Sequence, residues 1–547
     1  MMGLMAINGG LPAGVEMSDG AAMNITRRNV LAGAAALSTL PLAARAGVNT
    51  DIDVAIVGGG VAGAYAAWRI ASEQPHLRVA LFEMNDRIGG RLRSIAFPQA
   101  PHLVGEAGGM RFLPAHKHVF NLVQQLGLPA RGYPIIEPQD HLDLRGRSFT
   151  YAQAGQPAKL FPYNIPPSDQ APNSQRYVQG VEKVIPGFGH MTPARWLRIR
   201  SGIRYKGRLL KDWPSWALMA DIFTAEENRF FQDAGGYDIA PLGSALHGFD
   251  EQLLGSDLSK PFLTIAGGYQ KLPLTLAAES RRLGVRVLTE TRLASLSAPG
   301  LPGQAFRLGL VDRAGHITAL SARRVVLALP RRALELIEDF PARRDPHVAG
   351  LIASVVGEPA AKAFLLYPRA WWRDLGIGGG RSVTDMPARM FYALGAEKER
   401  LANEPANGFG LLMAYCCGAD VQYWQQLAPQ APREAAGFQW LPGNCGLALE
   451  IHREAGLTYA TQPPAPLGAC FQDWTVDPYG GGWHLWRQGV DGMELADSVM
   501  SPIPGHALYI CGEAYSPYNQ SWAEGAVERA ETMLQRHFGL KPPRWLG

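Results

Sequence analysis

Asp51-Ile52-Asp53-Val54-Ala55-Ile56-Val57-Gly58-Gly59-Gly60-Val61-Ala62-Gly63 runs from an apolar stretch straight into a glycine turn. The apolar stretch predicts a strand buried on both faces, as in a parallel sheet. An amphipathic helix is predicted next, carried by Ala64, Ala67, Trp68 and Ile70. A second strand, 78–82, ends on Glu83, twenty positions after Gly63. This is G-x-G-x-x-G between a strand and a helix, followed by an acid, and each part has a task. Gly58 allows the tight turn, Gly60 lets a pyrophosphate approach the backbone, and Gly63 lets helix and strand pack closely. The first N–H groups of the helix face the anion, and Glu83 can accept from ribose hydroxyls. The expectation is a dinucleotide-binding α/β unit that opens at residue 51.

Composition sets the frame around that unit. The chain has 547 residues, 47% hydrophobic and 18% charged, which describes a globular protein. At roughly 150 residues per domain, it holds two to four structural units. Fifty-two basic against 48 acidic residues leave a formal +4, too slight to predict a nucleic-acid or anionic-membrane partner. Five cysteines at irregular spacing make neither a disulfide framework nor a zinc site, so no metal is expected.

Before residue 51 the pattern changes. Thr26-Arg27-Arg28-Asn29-Val30-Leu31 precedes an apolar segment, 30–44, and Ala44-Arg45-Ala46 follows as a small-residue cleavage site. The segment is about 15 residues long, short of the about 20 that span a bilayer. Residues 1–46 therefore read as a twin-arginine-type signal peptide, with a mature chain from near Gly47, exported to a bacterial periplasm or secreted. Met1 and Met23 both remain candidate starts, and a buried helix is the alternative reading of the segment.

Further along, Asn85-Asp86-Arg87-Ile88-Gly89-Gly90-Arg91-Leu92-Arg93-Ser94 follows the acid. Arg323-Arg324-Val325-Val326-Leu327-Ala328-Leu329-Pro330 reads as a strand returning to the sheet. Near the C-terminus come Leu508-Tyr509-Ile510-Cys511-Gly512-Glu513 and Asn519-Gln520-Ser521-Trp522-Ala523-Glu524-Gly525-Ala526-Val527-Glu528-Arg529-Ala530. In this order the four segments resemble those of flavin-containing amine oxidases. The resemblance implies FAD and an α/β fold, a Rossmann-like (GR2-type) FAD-binding domain with an inserted α+β substrate-binding domain. The FAD domain is expected to be discontinuous, over 51–117, 262–345 and 471–547, with the substrate half over 118–261 and 346–470. Helical patterns are seen near 115–127 and 216–233, strands at 361–367 and 409–416, and a proline-rich surface loop at 156–172. The arginine pairs at 323–324, 331–332 and 343–344 read as solvated.

Three residues bear on the substrate. Arg111 lies in Gly105-Glu106-Ala107-Gly108-Gly109-Met110-Arg111-Phe112, which is similar to the G-x-M-R of L-amino acid oxidases, whose arginine clamps the substrate carboxylate. A guanidinium suits that task because its planar fork makes two charge-assisted bonds to one carboxylate. Tyr415 ends a strand whose counterpart in those enzymes offers a phenol to the same carboxylate. Lys362 begins Lys362-Ala363-Phe364-Leu365-Leu366-Tyr367, and Trp371-Trp372 and Ser382-Val383-Thr384-Asp385-Met386-Pro387-Ala388-Arg389 follow. That run resembles the K-x-F-L…F-W…S-T-T-D-L-P-x-R stretch of the same family. A lysine on an apolar strand must be paired, snorkelling or functional; the resemblance implies a catalytic Lys362 that holds a water at the flavin.

The resemblance also implies cofactor contacts from Gly90, Arg91, Gly109, Met110, Arg111, Val287, Glu513 and Trp522, beside Gly58, Gly60, Gly63 and Glu83. Trp483 stands where some relatives carry a cysteine bonded to the flavin, so FAD is expected to be non-covalent. Trp483 and Trp522 are candidate aromatic walls at the substrate, and His247 is a weak candidate for a mobile histidine. Trp371 and Trp372 hint at large apolar or aromatic substrate side chains. The implied reaction is oxidative deamination of an L-amino acid by hydride transfer from Cα, with O2 as acceptor and 2-oxo acid, ammonia and H2O2 as products. The alternatives are an L-amino acid monooxygenase, an oxidase of simple amines or polyamines, and a silent flavin-binding protein. A homodimer is compatible with the family.

Overall fold

The computed structural model describes residues 51–547 apart from 134, 154–161, 166–172, 238–242, 256–260, 396–407 and 430–435. The expected signal segment 1–46 and most of the proline-rich stretch 156–172 lie outside the described residues.

The strand Ile52–Val57 is buried at all six positions, as a parallel strand covered on both faces must be. It pairs in parallel with Val79–Phe82 on one side and with the end of Ile317–Leu327 on the other. The seven-stranded sheet runs Arg286–Leu288, Val79–Phe82, Ile52–Val57, Ile317–Leu327, Phe306–Asp312 and Thr291–Ser297, with Leu508–Ile510 beside Ile317–Leu327. The long strand Ile317–Leu327 has two roles: residues 317–322 pair antiparallel with Phe306–Asp312, and residues 322–327 enter the parallel sheet. Helices Val61–Glu73, Lys271–Arg282 and Ala523–Phe538 pack together around a core of Tyr65, Ile70, Leu272, Leu276, Val527 and Leu534. The other face is closed by Val348, Leu351, Trp486 and Val499.

An eight-stranded sheet forms the second layer, in the order Phe438–Pro442, Gly468–Asp473, Ala360–Tyr367, Gly410–Cys417, Met390–Leu394, Arg381–Thr384, His141–Leu144 and Arg147–Thr150. The first insertion thus supplies two edge strands and a helical cluster around Trp196, Leu218 and Phe249. Gly468–Asp473 straddles residue 471, so the chain returns to the first sheet only after Asp473. The pattern near 216–233 is two helices, Ser215–Ile222 and Ala225–Gly235. Thr224 breaks it: it is extended and forms a capping box with Glu227. The expected solvation of the arginine pairs also needs correction, because Arg331 pairs with Glu335 and donates to the Val355 carbonyl, while Arg324 lies over the Phe538 ring.

Strand periodicity separates the faces of the eight-stranded sheet. Ala361, Ala363, Leu365 and Tyr367 point into one cluster, with Trp371 and Trp372. Ala360, Phe364 and Leu366 share the other with Tyr392, Met413 and Tyr415. Lys362 shares their parity and so projects toward the first sheet's loops.

Candidate active site

The glycine turn forms the floor of a cleft of about 510 Å³. Gly58 adopts φ +104°, closed to L side chains without strain. A Cβ on Gly63 would stand 1.9 Å from the Gly58 carbonyl oxygen, whereas one on Gly60 would meet only Gly90 Cα, at 3.9 Å. Gly63 is therefore a packing glycine, and Gly60 keeps open the space above the turn. On the cleft wall, Glu83 Oε2 accepts from the Gly59 N–H at 2.7 Å, and Oε1 accepts from the Asn85 N–H and side-chain amide. The carboxylate is thus fixed in orientation before any ligand arrives.

Arg91 crosses the cleft to Glu513 at 2.7 Å and donates to the Gly482 carbonyl at 3.2 Å. Burial works to raise the Glu513 carboxyl, but the Arg91 charge and the His484 hydrogen bond win and hold it at about 2. Gly90, Gly109 and Trp522 also line the cleft. Trp522 caps the helix Ala523–Phe538, stacks on Phe262 and packs edge-on to His116. The glycine cradle, the helix N-terminus and the tethered carboxylate fit a dinucleotide. Three expected contacts, Val287, Met110 and Arg111, are not among the residues that line the cleft. Val287 sits in the edge strand Arg286–Leu288, paired with Leu81, with its side chain packed against the helical core. Met110 is buried, its sulfur accepting from Lys362 and from the Tyr133 hydroxyl.

Lys362 is 4% exposed. Its Nζ donates to the Glu106 carbonyl at 2.9 Å and the Gly108 carbonyl at 2.6 Å, and lies 4.6 Å from the Tyr415 ring centre. Burial, helped by the Arg111 charge and opposed by Glu106, brings the ammonium down to about 7. Burial likewise lifts the Glu106 carboxyl to about 7, against hydrogen bonds from the Tyr269 N–H and the Ser94 hydroxyl.

Arg111 lies over Phe262, 4.5 Å from the ring centre. It donates through Nη1 to the Tyr392 hydroxyl at 3.3 Å and through Nη2 to the Tyr237 hydroxyl at 3.4 Å. It forms no ion pair among the described residues. The phenols on its fork are therefore Tyr237 and Tyr392, and Tyr415 is one step away, its ring packed edge-on against Tyr237. Sequence reasoning missed both. Tyr392 was accessible from strand parity, since it shares the face of Met390 and Tyr415; Tyr237 stands in a loop without any periodic signal. Burial would raise the Tyr392 phenol, but Arg111 and Arg381 pull it below its ordinary value.

The remaining candidates divide. Trp483 begins the strand Trp483–Trp486 and packs against the same cluster as Tyr415. Trp371 and Trp372 lie on the opposite face of the eight-stranded sheet, which removes the hint they carried about substrate size. His247 is buried, and burial and the Arg200 charge hold it down at about 4; the charges it meets are Arg200 and Glu513, not Arg111.

The profile of the family described as flavin containing amine oxidoreductase matches residues 61–533. Aplysianin-A of Aplysia kurodai is 26% identical over 532 residues, covering 90% of this chain and 92% of that protein. An L-amino-acid oxidase of Demansia vestigiata is 22% identical over 487 residues, with 87% and 84% covered. Among solved structures, a wild-type putrescine oxidase bound to putrescine superposes with a TM-score of 0.63 at 18% identity, over 89% of this chain and 99% of that one. Cyclohexylamine oxidase from Brevibacterium oxydans does so with 0.62 at 19% identity, over the same shares. The structures establish a shared fold, and the profile runs from the helix that follows the glycine turn, through strands of both sheets, into the last long helix. This chain belongs to the flavin-containing amine oxidoreductases.

Proposed function

We propose that the protein oxidises L-amino acids with non-covalently held FAD and O2, releasing 2-oxo acid, ammonia and H2O2. The observation that carries this reading is Arg111: a half-buried guanidinium on the Lys362 side of the sheet, held by two phenols and with no carboxylate of the described chain to neutralise it. Buried cations need a counter-charge, and the α-carboxylate of an amino acid supplies one in bidentate form. Amine chemistry follows from the family. The L-amino-acid oxidases among the relatives, 22–24% identical, lend support.

The Gly58–Gly63 turn and the helix N-terminus would receive the pyrophosphate, Glu83 the ribose hydroxyls, and Arg91 and Trp522 the far end of the cofactor. When bound, the flavin supplies the hydride acceptor and the site of dioxygen reduction. Everything else falls to the chain. Arg111 with Tyr237 and Tyr392 fixes the carboxylate, which orients Cα and selects one enantiomer. Trp522 and Trp483 exclude water from that side. Lys362 Nζ, shifted to near neutrality, can exchange a proton at working pH.

The test is a peroxidase-coupled assay of the flavin-loaded protein against L- and D-amino acids and simple amines, with Arg111→Ala in parallel. We expect peroxide from L-amino acids, with kcat/KM falling roughly 100-fold or more in the variant. Peroxide from simple amines that is indifferent to Arg111→Ala would refute the proposal, and amide with CO2 in place of peroxide would redirect it to a monooxygenase. Acid precipitation is expected to release the yellow chromophore into the supernatant. The reading includes export, checked by sequencing the mature N-terminus near Gly47.

A further inference from the structure

Two guanidinium groups, not one, stand by the same pair of phenols. Arg381 opens the strand Arg381–Thr384 and is the register partner of Tyr392, whose hydroxyl accepts from Arg111. Paired residues on adjacent strands project to one face, so Arg381 enters from the Lys362 side. Its Cζ is 5.9 Å from the ring centre of Tyr237, the other phenol on the Arg111 fork. Arg381 Nη1 donates to the Gly235 carbonyl at 3.3 Å and approaches the Met390 sulfur at 3.7 Å. Nε is buried and meets no hydrogen-bond partner in good geometry, although the Tyr151 hydroxyl, also unpaired, lies beside the guanidinium. Asp140 accepts from the Arg381 main-chain N–H at 2.9 Å but forms no ion pair with the guanidinium among the described residues.

Two cations that close together repel, and burial makes each more costly. One carboxylate would answer Arg111 and leave Arg381 unmatched. A lysine or arginine substrate would add a third positive charge, and an apolar side chain would leave the buried Nε of Arg381 without a partner. A ligand with a second carboxylate satisfies both groups. We propose that Arg381 is a specificity-determining residue that receives the side-chain carboxylate of an acidic L-amino acid, glutamate or aspartate, while Arg111 holds the α-carboxylate. This rests on the amino acid reading given above and narrows its substrate class.

The flavin-loaded protein is assayed for H2O2 with L-glutamate, L-aspartate, L-glutamine, L-asparagine, L-leucine, L-phenylalanine, L-lysine and simple amines, wild type beside Arg381→Gln. An acidic substrate is expected to exceed its own amide by roughly 100-fold in kcat/KM. Arg381→Gln should erase that margin through KM for the acid, lowering kcat/KM for the acid far more than for its amide. Neutral or basic amino acids oxidised in preference to both acids overturn the proposal and leave the amino acid reading standing. Turnover of simple amines alone, or silence with every amino acid, overturns both. Equal losses on all substrates in Arg381→Gln also overturn it. Thermal shift supplies a reading independent of turnover, with glutarate compared against valerate. Glutarate should stabilise the wild type and Arg381→Lys more than valerate does, but not Arg381→Gln; equal shifts in the wild type count against the proposal.

Discussion

Lys362 shows how burial changes what a side chain can do. An ammonium ordinarily titrating at 10.5 is brought to about 7 by burial, with Arg111 adding to the effect. Between those values the unfolded chain carries a proton that the folded lysine has shed. Stability from this group therefore rises as pH rises from about 7 to 10.5, and is flat below about 7. Glu106 works in the opposite sense between 4.5 and about 7, where the folded state holds the extra proton and stability falls as pH rises. Their joint contribution is least near neutrality. Lys362→Met should remove the upper limb: its gain in Tm over the wild type is expected to be largest near pH 7 and to shrink toward pH 10. The difference would be on the order of 1–4 kcal/mol. A Tm series across that range checks this, and parallel curves would contradict it.

The decisive element is the strand–turn–helix at residues 52–73, whose glycines are not interchangeable. A Cβ at Gly63 would collide with the Gly58 carbonyl, so Gly63→Ala must push the helix off the strand. Gly60 has φ −71° and open space beside it, so Gly60→Ala should fold. Its methyl group would instead stand where the cofactor must approach. The expected outcome is a contrast. Gly60→Ala should match the wild-type apoprotein in Tm and circular dichroism but hold flavin more weakly. Gly63→Ala should be destabilised by about 2 kcal/mol or more even without flavin. Equal flavin affinity in Gly60→Ala and wild type would show that the cofactor does not approach that turn.

Across the whole molecule, distant segments are joined by buried polar contacts. Arg69, 2% exposed on the first helix, pairs with Glu531, 1% exposed on the last. The Tyr65 hydroxyl donates to the same carboxylate at 2.7 Å, and Arg69 also reaches the Lys541 carbonyl. Removing one partner leaves a buried charge exposed to its desolvation cost. Glu531→Ala should cost about 3 kcal/mol, since Arg69 keeps Glu73 and the Lys541 carbonyl. Glu531→Gln should cost less. Chemical denaturation with flavin release followed in parallel would check this, and cooperative loss of both signals is expected because the first and last helices pack on each other beside the cleft.

The dinucleotide fold was readable from 51–83 alone, because strand burial, turn geometry, anion binding and ribose binding are all local demands on a short stretch. Lys362 stood out as a lysine on an apolar strand, Arg111 and Tyr415 through the family resemblance, and strands at 361–367 and 409–416 by pattern. The neighbours of those residues were not readable. That Arg111 meets Tyr392 and Tyr237 rather than the Tyr415 hydroxyl, that Arg381 joins them, and that Trp371 and Trp372 face away depend on register between strands that are distant in sequence. One residue of slip would reverse every face. The sequence by itself determined the class of cofactor cradle and the chemistry of the anchors. Only the tertiary structure decided which charges share a pocket, because pairing across a sheet is a long-range choice that no local periodicity encodes.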